Sequence, residues 1–128
     1  GPSLTFTVDP DAHTGTISAR ELGLVFGVAF HLVTDSHLSI DSVETTEALG
    51  ADATRLQSAK GSAARFGLTR PGPTSAPVDL TQPRELAHFT FHTDAAIDLR
   101  PRLERITVRR LDGSFVPVTV ASGKLVIP

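Results

Sequence analysis

The chain is expected to fold as an all-β protein, an antiparallel β-sandwich of about nine short strands. Three features lead there. Apolar residues recur at every second position over short stretches, the period at which strand side chains alternate between two faces. Gly, Pro and Asp clusters separate those stretches. No segment carries the i, i+3, i+4, i+7 spacing of a long amphipathic helix.

Residues 4–8 (Leu4-Thr5-Phe6-Thr7-Val8) alternate cleanly and read as the first strand. Asp9-Pro10-Asp11 ends it, because Pro fixes φ and Asp bonds the local backbone. Residues 14–19 form a weaker second strand, and Glu21-Leu22-Gly23 turns into a third over residues 25–35. There Phe26, Val28, Phe30 and Leu32 share one side, and Val25, Gly27, Ala29, His31 and Val33 the other. The second side is small and barely charged, which suits a surface on which something else packs.

Asp35-Ser36-His37 is a polar connection to a strand through Leu38, Ile40 and Val43, with an irregularity expected near Asp41-Ser42. Residues 45–53 are either a short helix or a loop, closed by Gly50. Residues 54–58 read as a strand, Lys60-Gly61 as a turn. In the next strand Ala64, Phe66 and Leu68 alternate with Arg65, Gly67 and Thr69. Prolines 71, 73, 77 and 83 make residues 70–83 a loop, of a length that is often functional.

Residues 86–92 form a strand with Phe89 and Phe91 inward. Residues 103–111 form another, with Ile106 and Val108 inward and Arg105, Thr107 and Arg109 outward. Asp112-Gly113 is a strong turn signal, and strands over 115–120 and 124–127, separated by Ser122-Gly123, complete the chain.

Composition narrows the function. A 40% hydrophobic content over 128 residues fits one globular domain, expected over residues 4–128. Gly1-Pro2-Ser3 reads as the scar of a removed expression tag, so a native targeting segment would lie outside this sequence. No apolar run approaches the roughly 20 residues of a membrane-spanning helix, so direct membrane insertion is not expected. Without Cys, disulfides and thiolate metal sites are excluded. All seven aromatics are Phe, mostly at alternating apolar positions, and are expected in the core. The lack of Trp and Tyr counts against a sugar-stacking surface. Charge is lopsided: residues 1–54 carry eight acidic side chains and one Arg, residues 55–128 eleven basic and six acidic ones. Such asymmetry can mark an interaction surface.

No catalytic set emerges. Asp35-Ser36-His37 contains triad residue types, but neighbours in sequence cannot converge as a triad does. His31, His88 and His92 lack a converging third or fourth ligand for zinc, so no metal site is assigned. Asp9-Pro10-Asp11 and Asp94/Asp98 are acidic loops without the spacing of an EF-hand; no cofactor is expected, and calcium is the one ion these loops leave open. Arg100, Arg102, Arg105, Arg109 and Arg110 do not suggest nucleic acid, since Glu104 interrupts them and the pI is about 6.2.

Phe26-Gly27-Val28-Ala29-Phe30-His31-Leu32-Val33-Thr34-Asp35 followed by Leu38-Ser39-Ile40 resembles the cohesin pattern of an alternating strand, an Asp and a short apolar strand. Leu86-Ala87-His88-Phe89-Thr90-Phe91 is similar to a later cohesin strand that ends in an aromatic, and residues 118–127 to the closing strand. Thr34 and Ser36 stand where cohesins often have Tyr and Pro. The resemblance implies a nine-stranded jelly roll whose binding sheet contains residues 24–34, 54–58, 62–70 and 103–111. By alternation its outer face would carry Ala29, His31 and Val33, then Arg65, Gly67 and Thr69, then Arg105, Thr107 and Arg109, with Arg55 and Gln57 further out. The resemblance also implies a non-catalytic protein-interaction or scaffolding module with a dockerin-like or other bacterial protein partner. Such a module would belong to a larger exported protein, extracellular or at the cell surface. The alternatives are a carbohydrate-binding module and a structural spacer domain.

Overall fold

The computed structural model describes residues 1–94, 98–99, 101–120 and 125–126. Arg100, the Ser122-Gly123 turn, Lys124 and Ile127 lie outside these residues. In chain order the strands are β1 (Ser3–Asp9), β2 (Thr14–Arg20), β3 (Leu24–Val25), β4 (Gly27–Val33), β5 (Leu38–Thr45), β6 (Thr54–Lys60) and β7 (Ala63–Thr69). They continue as β8 (Val78–Asp79), β9 (Arg84–Thr93), β10 (Asp98–Leu99), β11 (Arg102–Arg109), β12 (Thr119–Val120) and β13 (Leu125–Val126).

The chain is all-β among the described residues and forms a sandwich. One sheet runs β12-β1-β2-β9-β5, the other β11-β4-β7-β6. Every pairing in them is antiparallel except β1 with β12, which is parallel. With the β3–β8 pair these sheets contain eleven strand segments, and β10–β13 adds a further pair, against the roughly nine expected. The excess has two sources. The strand expected over 25–35 divides, and the loop expected over 70–83 contributes β8. Phe26 marks the division: its N–H donates to the Arg109 carbonyl at 2.8 Å and its carbonyl accepts from Arg70 N–H at 2.9 Å. Leu24 and Val25 leave that ladder to pair with β8. Val25 therefore turns into the core, not outward as alternation suggested, and Leu24 is exposed instead.

Both sheets feed one core. Phe30 and Leu32 of β4 and Phe66 and Leu68 of β7 meet Ile17, Phe89 and Phe91 from the other sheet. The Phe30 and Phe66 rings stack with centroids 5.1 Å apart. Each such burial contributes about 1.5–3 kcal/mol, which is why period-2 alternation fixes strand orientation so strongly. Five of the seven Phe are buried; Phe6 is half-buried, and Phe115 is an exception. The irregularity expected near Asp41-Ser42 is present, as the β5–β9 register skips between Ile40 and Ser42.

Residues 46–53 form two successive turns and no helix: Gly50 N–H donates to the Glu47 carbonyl, and Ala53 N–H to the Gly50 carbonyl. Arg70 fastens this loop. Its Nη1 donates to the Leu49 carbonyl and to Asp52 Oδ1, both at 2.6 Å, and its Nε to the Ala76 carbonyl at 2.9 Å. The Arg70 hydrogen bond holds the Asp52 carboxyl below its ordinary range. Arg70→Ala is expected to cost about 2 kcal/mol, since it strands the Leu49 carbonyl and the loop loses its tie. Chemical denaturation would show this as a lower midpoint. The Asp52 share has a defined sign: a carboxyl with a lowered folded-state pKa stabilises above its unfolded value of about 3.9 and loses that effect as pH falls through the folded value. The stability gap between wild type and Asp52→Asn should thus be full at neutral pH and close in acid.

Candidate partner-binding face

The outer side of the four-stranded sheet is an array of sixteen positions, four rows across four strands, set by register alone. The central rows are Thr107-Ala29-Gly67-Leu56 and Glu104-His31-Arg65-Ser58, written from β11 through β4 and β7 to β6. They are flanked by Arg109-Gly27-Thr69-Thr54 on one side and Arg102-Val33-Ala63-Lys60 on the other. Ala29, His31, Val33, Arg65, Gly67, Thr69, Thr107 and Arg109 thus share one face, as alternation suggested.

Arg55 does not belong to it. The two-residue turn at Gly61-Ser62 sets Lys60 opposite Ala63, so the even-numbered residues of β6 face outward. Arg55 and Gln57 oppose Leu68 and Phe66 on the core side. At the seam of the sandwich they tie the sheets together: Arg55 Nη1 donates to the Thr45 carbonyl at 2.8 Å, and Thr45 Oγ1 to Gln57 Oε1 at 2.6 Å. Arg105 also departs from simple alternation. It sits in a bulge between Glu104 and Thr107 with φ 49°, exposed, while Glu104 takes the place opposite His31. That extra residue lets Leu103 and Val108 both point inward.

Two residues that alternation missed dominate the relief. Leu56 is 67% exposed and Phe115 62% exposed. Phe115 reaches the face because the 110–113 turn folds it back onto Arg109. Between them lies a shallow concavity of about 360 Å³ whose floor includes Ala29 and Gly67. A Cβ on Gly67 would touch only Leu56 Cβ, at 3.7 Å, so the floor is low by composition and not by crowding. Gly67→Ala is accordingly expected to leave the melting temperature within about 2 °C, a shift of well under 1 kcal/mol, in a thermal scan. Arg109 closes one end, its guanidinium 5.3 Å from the Phe26 ring centroid and 3.4 Å from Thr69 Oγ1. A second hollow of about 440 Å³ lies towards Val33, lined by His31, Lys60, Ala63 and Arg65 among others.

Several of the other polar groups are bonded locally. Asp9 Oδ1 accepts the N–H groups of Asp11 and Ala12, capping its own turn. His37 meets Asp94 at 3.1 Å, not Ser36. His88 contacts Thr16 and Glu85, His92 contacts Asp41, and both lie in the sheet opposite to His31. Among the described residues no three His, Asp or Glu side chains converge as metal ligands. No helix there is long and apolar enough to cross a membrane.

No protein-family model and no curated protein matches the sequence. Solved structures do match. The chain overlays CaCohA2 of Clostridium acetobutylicum, solved in complex with a variant of CaDoc0917, over 100% of both chains with TM-score 0.76 and 12% identity. The chain has a cohesin fold. The sixth cohesin of scaffoldin B from Acetivibrio cellulolyticus, solved with a Cel5 dockerin, agrees over 100% of this chain and 99% of its own, with TM-score 0.75 and 12% identity. A non-cellulosomal cohesin from the archaeon Archaeoglobus fulgidus agrees over 96% and 80%, with TM-score 0.68 and 13% identity. Within this cohesin fold, Thr34 acts locally. Its Oγ1 donates to the Ser62 carbonyl at 2.7 Å, tying the end of β4 to the β6–β7 turn.

Proposed function

We propose that this cohesin-fold domain is a non-catalytic protein-interaction module that docks a partner on the outer face of the four-stranded sheet. The observation that carries the reading is the pairing of two large exposed apolar side chains, Leu56 and Phe115, across a floor of small residues. Solvated sheet faces normally place polar groups there. A low floor lets a partner backbone come close, and the apolar walls give it area to bury. Arg65, exposed in the next row along β7 from Gly67, offers a planar guanidinium that adds directional hydrogen bonds, and Arg109 closes one end of the floor. Dockerins are the first partners to test, because cohesins of the same fold have been solved in complex with them. The setting most consistent with such a module is a larger exported or cell-surface protein, bacterial by the sequence resemblance.

The test uses the domain as bait against extract of the encoding organism, with calcium and with chelator, beside the Ala29→Arg variant. A protein retained by wild type and lost with the variant supports docking on this face, and calcium dependence would make it dockerin-like. Retention by both baits would overturn this face as the site. Binding on a glycan array would favour a carbohydrate module, and no retained protein a spacer domain.

A further inference from the structure

We infer that the partner of this face is acidic: a helix lying along the strands, seating one apolar side chain between Leu56 and Phe115 and carboxylates against Arg65 and Lys60. The inference rests on the docking reading and names the chemistry of the partner. Of the sixteen outward positions four are cationic, Arg65, Lys60, Arg102 and Arg109, and only Glu104 is a carboxylate. Arg102 holds Glu104 at 2.6 Å, which cancels both. Arg109 is engaged with Phe26 and Thr69. Arg65 and Lys60 are exposed and have no ion-pair partner among the described residues.

The acids of the N-terminal half do not offset them. Asp9 and Asp11 lie in and beside the β1–β2 turn, Asp41 and Glu44 on β5 of the opposite sheet, and Glu47 and Asp52 in the 46–53 loop; Glu21 pairs with the N-terminal amine at 2.9 Å, and Asp35 follows the end of β4, outside the sixteen positions. The lopsided charge of the sequence thus becomes a positive face. Spacing adds a pattern. Arg65 lies two residues along β7 from Gly67, and Lys60 four along β6 from Leu56, so the cations stand about 7 Å and about 13 Å from the apolar seat. Helix positions i+4 and i+8 lie about 6 Å and about 12 Å from position i. One Leu followed by Glu at those two offsets fits both cations.

The test titrates the ¹⁵N-labelled domain with three helix-stapled peptides. One carries that Leu-Glu-Glu pattern, one has Lys in place of both Glu, and one has the acidic residues scrambled off the Leu face. The patterned acidic peptide is expected to shift the amides of Ala29, Leu56 and Gly67 and to weaken as salt rises, because exposed charge pairs are screened. The Lys peptide should bind at least about tenfold more weakly, and Lys60→Glu with Arg65→Glu should reverse that order. Both sites are exposed, and a thermal melt confirms that the double variant folds. Equal binding of acidic and Lys peptides at this face would overturn the acidic partner and leave docking standing. Equal binding of the scrambled peptide would reduce the effect to attraction for any polyanion and overturn it too. Shifts confined to the opposite sheet, or none, would overturn both this inference and the choice of face.

Discussion

Ala29→Arg is expected to weaken partner binding by about 30-fold or more in Kd and to leave the melting temperature nearly unchanged. Ala29 sits in the row Thr107-Ala29-Gly67-Leu56, at the floor between the two exposed apolar walls. An Arg side chain there fills the floor and places a charge where the partner must desolvate. Loss of a central, well-packed contact typically costs about 2 kcal/mol or more, which is the fold-change given. The fold should tolerate the change, because the position is half-exposed and its neighbours across both strands are small or polar. Calorimetry with the retained partner and a thermal melt of the free domain separate the two effects. A large drop in melting temperature would mean that this side of β4 is packed against protein.

Gly15→Ala is expected to do the reverse, lowering stability without touching the docking face. Gly15 lies in register with Phe89 in the five-stranded sheet, and the Phe89 ring covers it. A Cβ at Gly15 would fall inside the van der Waals envelope of the Phe89 ring, against Cζ and Cε1. The ring must move, and Phe89 is a buried core residue that also faces Phe91, with centroids 6.0 Å apart. Overpacking of this kind costs about 1–3 kcal/mol, or a fall of roughly 5–12 °C in melting temperature for a chain of this size. Partner affinity measured below the transition should stay at the wild-type value. A melting temperature equal to wild type would show that Phe89 has another rotamer available at no cost.

Much of this architecture can be read from the chain because burial enforces a period of two. Phe26-Val28-Phe30-Leu32 and Ala64-Phe66-Leu68 each leave one orientation open, and the face opposite follows. What alternation could not reach were the places where the period breaks. The bulge at Arg105 restarts the count within β11, so Glu104 and Thr107, three residues apart, share a face. On β6 all seven residues are exposed, so no buried side chain fixed its parity, and Arg55 was expected outward. The two-residue turn at Gly61-Ser62 carried that parity, because it alone determines which β6 residue meets Ala63. Val25 was misplaced because nothing local says that Leu24 and Val25 leave the β4 ladder for a partner more than fifty residues away. Phe115 was expected among core aromatics. Its exposure depends on how the Asp112-Gly113 turn returns the chain, which is a tertiary matter.

The most direct test of docking on the four-stranded sheet is amide hydrogen exchange of the domain, free and saturated with the partner that the bait retains. The expected result is slowed exchange confined to β4, β6, β7, β11 and the Phe115 turn, with β1, β2, β5 and β9 unchanged. Protection on β2 and β9 instead, around His88 and Thr90, would contradict it and move the site to the opposite sheet.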